Sequence, residues 1–285
     1  MKSVFPKASL SRRRQILGWL LLLPMLLALA VQAVVPFGMA LIRSVYRGMG
    51  TTFVGLENYS ELLRNPTFRL AVGNLLGLWA VVLPLNLGIG FVLALACHSA
   101  RSRKTRVLYF LPAILPAACG VEILSQLFGS PQMTGLVSLL PADWRTGPQA
   151  GPVFAGLVLW KGLGYSILIL AAALDAIPAE YREAARLEGA SAGQIVRSVL
   201  LPLLRPAFLL CAVLAVYNSF RCFREALLLG GSHPAQSLYS LQHFLQNNFS
   251  NLNFARLEAA SVLLVTVPAA VIVALSGLWK GGRTR

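Results

Sequence analysis

EYREAARLEGASAGQIVRSVLLPLLRP, residues 180–206, is the most polar long stretch in a chain that is otherwise apolar. Together with Asp175 it gathers four acids and four bases among small residues, with Ala184, Ala185 and Gly189 set between the charges. Hydrocarbon does not accept such a segment, so it marks a connection outside a bilayer, with membrane-crossing segments on either side.

Working outward, composition agrees with that placement. The 285 residues are 56% hydrophobic and 12% charged, with a mean hydropathy of +0.68. A soluble domain carries less apolar and about twice as much charged sequence. Lipid offers backbone groups no water, so a span is a helix of roughly 20 residues. Six are expected: Leu17–Ile42, Ala71–Ala96, Val107–Phe128, Pro152–Ala173, Ala207–Leu229 and Ala259–Trp279. The fold class is therefore an all-α membrane protein with six transmembrane helices. Residues 1–16 form a leading segment, 17–279 one membrane domain containing the loop 174–206, and 280–285 a tail. No room remains for a sizeable soluble domain, so any catalytic domain belongs to another chain. The first span starts like a secretory signal, with Arg12, Arg13 and Arg14 before apolar residues. Its apolar run continues to Ile42, longer than a signal core, and is read as an uncleaved helix.

Basic loops resist translocation, so the lysines and arginines orient the chain. Sixteen lie in the N-terminal segment, the loops before spans three and five, and the tail; six lie on the opposite side. Both termini and the 174–206 loop are thus expected in the cytoplasm, and the net charge of +15 reflects topology and anionic lipid rather than nucleic acid. Trp19 and Trp279 read as interfacial anchors. The four cysteines, Cys97, Cys119, Cys211 and Cys222, lack CxxC spacing and read as small apolar fillers.

Within the loop, local signals predict two short helices around a tight corner. Pro178 suits a first helical turn and Gly189 the left-handed residue beyond a helix end. Ser191 with Gln194 forms a capping box for the second helix, which Pro202 is expected to stop. Tyr181, Ala184, Ala185 and Glu188 fall on one helical face, the alanines leaving room for a close partner. Glu180, Arg182, Glu183 and Arg186 supply charge around the rim. A solvated loop lying on the headgroups is the plainer reading of the same pattern.

EAARLEGASAGQIVRSVLLP closely resembles the EAA signature of the permease subunits of ATP-binding-cassette (ABC) importers. Glu183, Ala184, Ala185, Gly189 and Pro202 stand at its defining places; Val199 stands where isoleucine is usual and Glu188 where sugar permeases often have aspartate. FVGLENYSELLRNPTF (53–68), YFLPAILP (109–116), DAIPAEYREAA (175–185), FREALLLGG (223–231) and LYSLQHFLQNNF (238–249) are similar to segments of the branch related to maltose and glycerol-phosphate permeases. The likeness spans roughly residues 53–275. It implies the six-span type I ABC importer permease (MetI-like) fold. It also implies a second permease, two cytoplasmic ATPase subunits and an extracytoplasmic solute-binding protein. The solute class is a sugar, oligosaccharide or glycerol phosphate, in a bacterial cytoplasmic membrane. ATP and Mg would reside on the partner ATPase, and this chain would bind no cofactor or metal; consistently, it has no G-x-x-x-x-G-K-[ST] loop.

Ionisable groups at depth mark paths or gates. Counted along straight helices, Glu122 in span three and Arg221 in span five share a depth, with Arg224 and Glu225 slightly farther out. Arg221 and Glu225 are spaced as an i, i+4 ion pair. Ion pairs holding a gate and contact with solute are both open readings. Lys161 lies near mid-depth in span four, where a snorkelling or helix-packing role fits. Asn86, Tyr217 and Asn218 are further polar candidates for the path or for contacts between helices. His98, His233 and His243 match no zinc spacing. An ion-coupled secondary transporter is the alternative, but no internal repeat is evident. An intramembrane enzyme would need a nucleophile with its base or a metal motif, and neither is found.

Overall fold

Because a chain in lipid must bond its own backbone, every long element is a helix. The computed structural model describes residues 12–47, 51–99, 103–129 and 144–281. The N-terminal basic residues before Arg12, the side chains of the 101–106 basic group, the tail after Gly281 and the side chain of Trp279 lie outside what it describes.

Span one is α1 (Arg12–Leu29), a π turn (Ala30–Val34) and α2 (Val35–Arg43). Its most apolar window is wholly unburied within the chain. A hairpin of β1 (Tyr46–Arg47) and β2 (Thr52–Phe53), with Tyr46 opposite Phe53, leads into α3 (Glu57–Arg64). Buried Asn58 pins this turn by donating from Nδ2 to the carbonyls of Ser44 and Tyr46, both at 2.8 Å. The Tyr59 hydroxyl meets Ser44 Oγ at 2.7 Å.

Span two, α4 (Pro66–Ser99), runs 34 residues. At about 1.5 Å per residue it exceeds a hydrocarbon core of about 30 Å and projects from it. Asn65 Oδ1 caps its start by accepting from the Thr67 and Phe68 amides at 2.9 and 3.1 Å.

Span three departs from expectation. It is two helices, α5 (Arg103–Ile114) and α6 (Ala117–Gly129), bent by 108°. Pro116 has no N–H to donate and pushes Leu115 out of the helical region, so the helix cannot continue through them. Among the described residues, five helices are long and apolar enough to cross alone, and the bent pair makes a sixth if taken as one span.

Span four, α7 (Ala150–Asp175), is the most buried. A Cβ on Gly164 would lie 2.9 Å from the Tyr109 carbonyl oxygen and 3.2 Å from Phe110 Cα, so glycine is what lets α5 press on α7. Asn86 of α4 is buried and accepts from Ser166 Oγ of α7, with Gly162 leaving space for its amide. Asn86 thus joins two helices rather than lining a path.

The chain continues through α8 (Ala179–Leu187), α9 (Ala192–Ile195), a π turn (Val196–Leu200), α10 (Leu201–Arg221), α11 (Phe223–Gly230), α12 (Leu241–Ser250) and α13 (Phe254–Gly281). Helices α4 and α7 run in the same direction. At one end the Phe68 ring meets Phe244 of α12 at 5.4 Å, and the Gly151 amide donates to Ser237 Oγ at 3.2 Å. At the other end His98 meets Asp175. Beside that second end, Ala94, Leu170, Leu174, Ile195, Leu200 and Leu204 pack into one cluster that seats α8 and α9. Small residues such as Ala94, Ala171 and Cys211 bring the helices close there. Cys97, Cys211 and Cys222 are buried and Cys119 is exposed, and none of the four forms a disulfide.

Candidate functional site

Two features stand out, one at the α8 end and one where two broken helices face each other. The α8 corner forms as its sequence dictates. Gly189 sits at φ +83°, a conformation that costs side-chain-bearing residues about 1–2 kcal/mol. Its amide donates to the Arg186 carbonyl and the Ala190 amide to that of Ala185, each at 3.0 Å, the two bonds of a Schellman ending. Ser191 then caps α9, its own amide donating to Gln194 Oε1 at 2.7 Å while its hydroxyl accepts from the Gln194 amide. Pro178 caps α8 from outside rather than entering its first turn.

Pro202 does not stop the second helix. The π turn at Val196–Leu200 widens the backbone ahead of it, and Pro202 enters at the first turn of α10, where a missing N–H costs least. The corner is therefore rooted directly in spans four and five. The alanine pair also divides. Ala185 turns inward against the apolar cluster with Ile177 and Ala190, whereas Ala184 faces out. Tyr181, Glu183 and Glu188 are exposed, and Leu187, which the sequence pattern did not single out, is 90% exposed. Three residues from Ala184, it lies beside that residue on the helix surface.

The second feature is a cavity of about 640 Å³. It opens where the α5–α6 break at Leu115 and Pro116 faces the α10–α11 break at Cys222, with α7 and α12 closing it. Non-helical backbone at such depth is tolerated where it lines a cavity. Lys161, Asn218, Arg221, Arg224 and Glu225 all line it, beside Tyr165 and Gln242. Lys161 Nζ donates to Glu225 Oε1 at 2.6 Å, with the two side chains only 15% and 6% exposed. A neighbouring cavity of about 580 Å³ between α4 and α7 has no charged residue on its walls.

Residues 86–281 match the family of binding-protein-dependent transport system inner membrane components. The chain belongs to that family. This permease is 28% identical over 289 residues to the arabinooligosaccharides transport system permease protein AraP of Halalkalibacterium halodurans, covering 94% of this chain and 90% of that one. It is 30% identical over 277 residues to the sn-glycerol-3-phosphate transport system permease protein UgpA of Brucella suis, covering 92% of each. Its fold is similar to a chain of a bacterial ABC transporter that imports the acidic polysaccharide alginate, with a TM-score of 0.78 at 18% identity over 93% of this permease and 96% of that chain. A structure of the alginate transporter in complex with its alginate pentasaccharide-bound periplasmic protein matches with a TM-score of 0.73 at 16% identity, over 92% and 93% of the two chains.

Two sequence-predicted residues fall outside the cavity of the permease. Glu122 is exposed on α6 and accepts from Gln126 Nε2 at 3.0 Å. The 108° bend voids the depth count that set it level with Arg221. Tyr217 is 54% exposed, its ring lying under the Arg221 guanidinium at 5.8 Å. The expected Arg221–Glu225 ion pair is not formed. Cys222, at φ −77° and ψ 9°, ends α10 between them, so the i, i+4 register is lost and Glu225 turns to Lys161 instead. Lys161 therefore points into the bundle and packs α7 on α11 rather than snorkelling.

His98 also has a place the sequence did not reveal. Its Nδ1 lies 2.6 Å from Asp175 Oδ1 and its Nε2 lies 2.6 Å from Arg182 Nη1. A carboxylate only accepts and a guanidinium only donates, so both contacts are hydrogen bonds for the tautomer that carries its proton on Nδ1. It ties the end of α4 to the end of α7 and to α8. We expect His98→Leu to speed amide exchange across residues 179–187 roughly 5-fold, the equivalent of about 1 kcal/mol for partly exposed charged hydrogen bonds. His98→Gln, which offers one donor and one acceptor, should restore most of the protection. Equal exchange in all three proteins would show that the tie holds nothing.

Proposed function

We propose that this permease is one half of the membrane channel of an ATP-driven importer for a sugar, oligosaccharide or glycerol-phosphate-like solute. The relatives' names supply that solute class. It works with a second permease, two cytoplasmic ABC ATPase subunits that hold ATP and Mg, and an extracytoplasmic solute-binding protein. It sits in a bacterial cytoplasmic membrane with both termini and the α8 corner on the cytoplasmic side, as the distribution of basic residues supports. The exposed first span offers an apolar face to the second permease or to lipid.

The observation that carries the reading is the α8 corner, a capped helical projection with an uncovered Leu187 and roots in two spans. When the ATPase subunits close on ATP, they push α8. The displacement passes through α7 and α10 to the cavity at the Lys161–Glu225 pair and switches it between facing inward and outward, a two-state change biased by nucleotide.

Single cysteines test this in the assembled importer. Leu187→Cys and Ala184→Cys are expected to crosslink to an ATPase subunit, whereas Ala185→Cys, turned into the apolar cluster, is not. A complex that transports normally yet yields no such crosslink from Leu187 or Ala184 sinks the coupling reading.

A further inference from the structure

The charge on the cavity wall identifies the solute more closely. Three cations, Lys161, Arg221 and Arg224, face one carboxylate, Glu225, and the other lining residues are uncharged. Lys161 Nζ and Glu225 Oε1 pair at 2.6 Å in a buried setting, so the two charges largely cancel, although Glu225 Oε2 has no hydrogen-bond partner. The Arg221–Glu225 pairing that would have neutralised the wall is excluded by the helix break at Cys222. Arg221 rests over an aromatic ring, and neither it nor Arg224 has a carboxylate within 4.0 Å among the described residues. Arg221 and Arg224 are thus exposed residues of the wall whose charges no described carboxylate neutralises.

That arrangement has a chemical meaning. Guanidinium groups cannot shed their charge, and they bind carboxylate or phosphate through two parallel N–H bonds. Ionisable residues of spans that face a cavity mark substrate paths, and a cation left without a carboxylate there offers a site to an anion. A neutral sugar would need only the hydroxyl-matching groups already present, Asn218, Tyr165 and Gln242.

We propose that the solute passing this cavity carries negative charge, as a carboxylate or a phosphate, and that Arg221 and Arg224 receive that group. The inference rests on the reading of the cavity as the solute path.

The test has two arms. First, the compound that the importer's own solute-binding protein carries from cells is released by denaturation and identified by mass spectrometry. Second, uptake of that identified compound is measured in proteoliposomes holding the whole importer, for the wild type, Arg221→Gln, Arg224→Gln and the double Arg→Lys variant. A compound bearing a carboxylate or phosphate is expected. Uptake should fall at least ~10-fold in each glutamine variant, about 1.4 kcal/mol, and should be several-fold higher in the lysine variant than in either.

A neutral compound whose uptake is lost in the glutamine variants overturns the anion assignment while keeping the cavity on the path. An anionic compound taken up at the wild-type rate by both glutamine variants removes the cavity from the path, and the inference with it. An anionic compound whose uptake drops equally in glutamine and lysine variants also overturns it, because the arginines would then be serving the assembly rather than the charge.

Discussion

Gly189→Pro should abolish coupled uptake, by roughly 100-fold or more, while the chain still inserts and assembles. Proline holds φ near −65° and has no N–H. Gly189 sits at φ +83° and donates its amide to Arg186, so the substitution forbids both the backbone conformation and the bond that closes α8. The damage is local. In the cluster that holds α4, α7 and α10 together, the contacts among Ala94, Leu170, Leu174 and Leu204 do not run through the corner, although Ile195, Ala185 and Ala190 pack on them. On the proposed coupling, what is lost is the fixed angle through which α8 would transmit a push to two spans. The expected phenotype is nucleotide hydrolysis without transport, measured as the ratio of the two rates in proteoliposomes. Gly189→Ala keeps the amide and meets only the left-handed strain of about 1–2 kcal/mol, so it should fall between the two. Glu183→Lys, which reverses a charge on the exposed rim, should also uncouple, though less completely. Wild-type uptake by Gly189→Pro would mean that the corner is not a lever.

The parts of this permease that were legible in the sequence are those fixed by short-range chemistry. Lipid demands long apolar helices, so span positions follow from hydropathy alone. The Ser191–Gln194 capping box and the left-handed Gly189 were readable because each is decided within three or four residues. The misses have a common cause, which is that a small change of backbone direction redirects every side chain beyond it. Pro116 turns a span by 108° and takes Glu122 away from the level it would hold on a straight helix. The break at Cys222 sends Glu225 to Lys161, 64 residues earlier in the chain, and no local pattern distinguishes that partner from the nearer Arg221. Similarly, Ala184 and Ala185 are adjacent in sequence but about 100° apart around a helix, and only the position of the apolar cluster decides which one faces out. The His98 contacts with Asp175 and Arg182 span 77 and 84 residues and leave no trace in spacing.

Because Glu225 depends on so distant a partner, Lys161→Met should be the most destabilising single change in the span region. Removing Lys161 leaves a carboxylate that is almost fully buried and whose Oε2 already has no hydrogen-bond partner. Breaking a buried ion pair from one side costs about 3–5 kcal/mol, because the remaining charge keeps its desolvation penalty and loses its attraction. For a domain of this size that is a fall of about 10 °C in melting temperature, measurable by thermal shift on the solubilised complex. Glu225→Gln should cost less, because the flexible lysine left behind has rotamers that carry its ammonium toward the open part of the cavity. The double variant Lys161→Met/Glu225→Gln distinguishes a pair from two separate contributions. Replacing both partners by uncharged groups removes the penalty along with the attraction, so its stability should return to within about 1 kcal/mol of the wild type. Transport should not return with it. If the pair holds α7 against α11 and neutralises its part of the cavity wall, a stable double variant lacks the switchable contact between spans four and five. Restored stability with restored uptake would show instead that the pair is only a packing element, and that the path is governed by the arginines beside it.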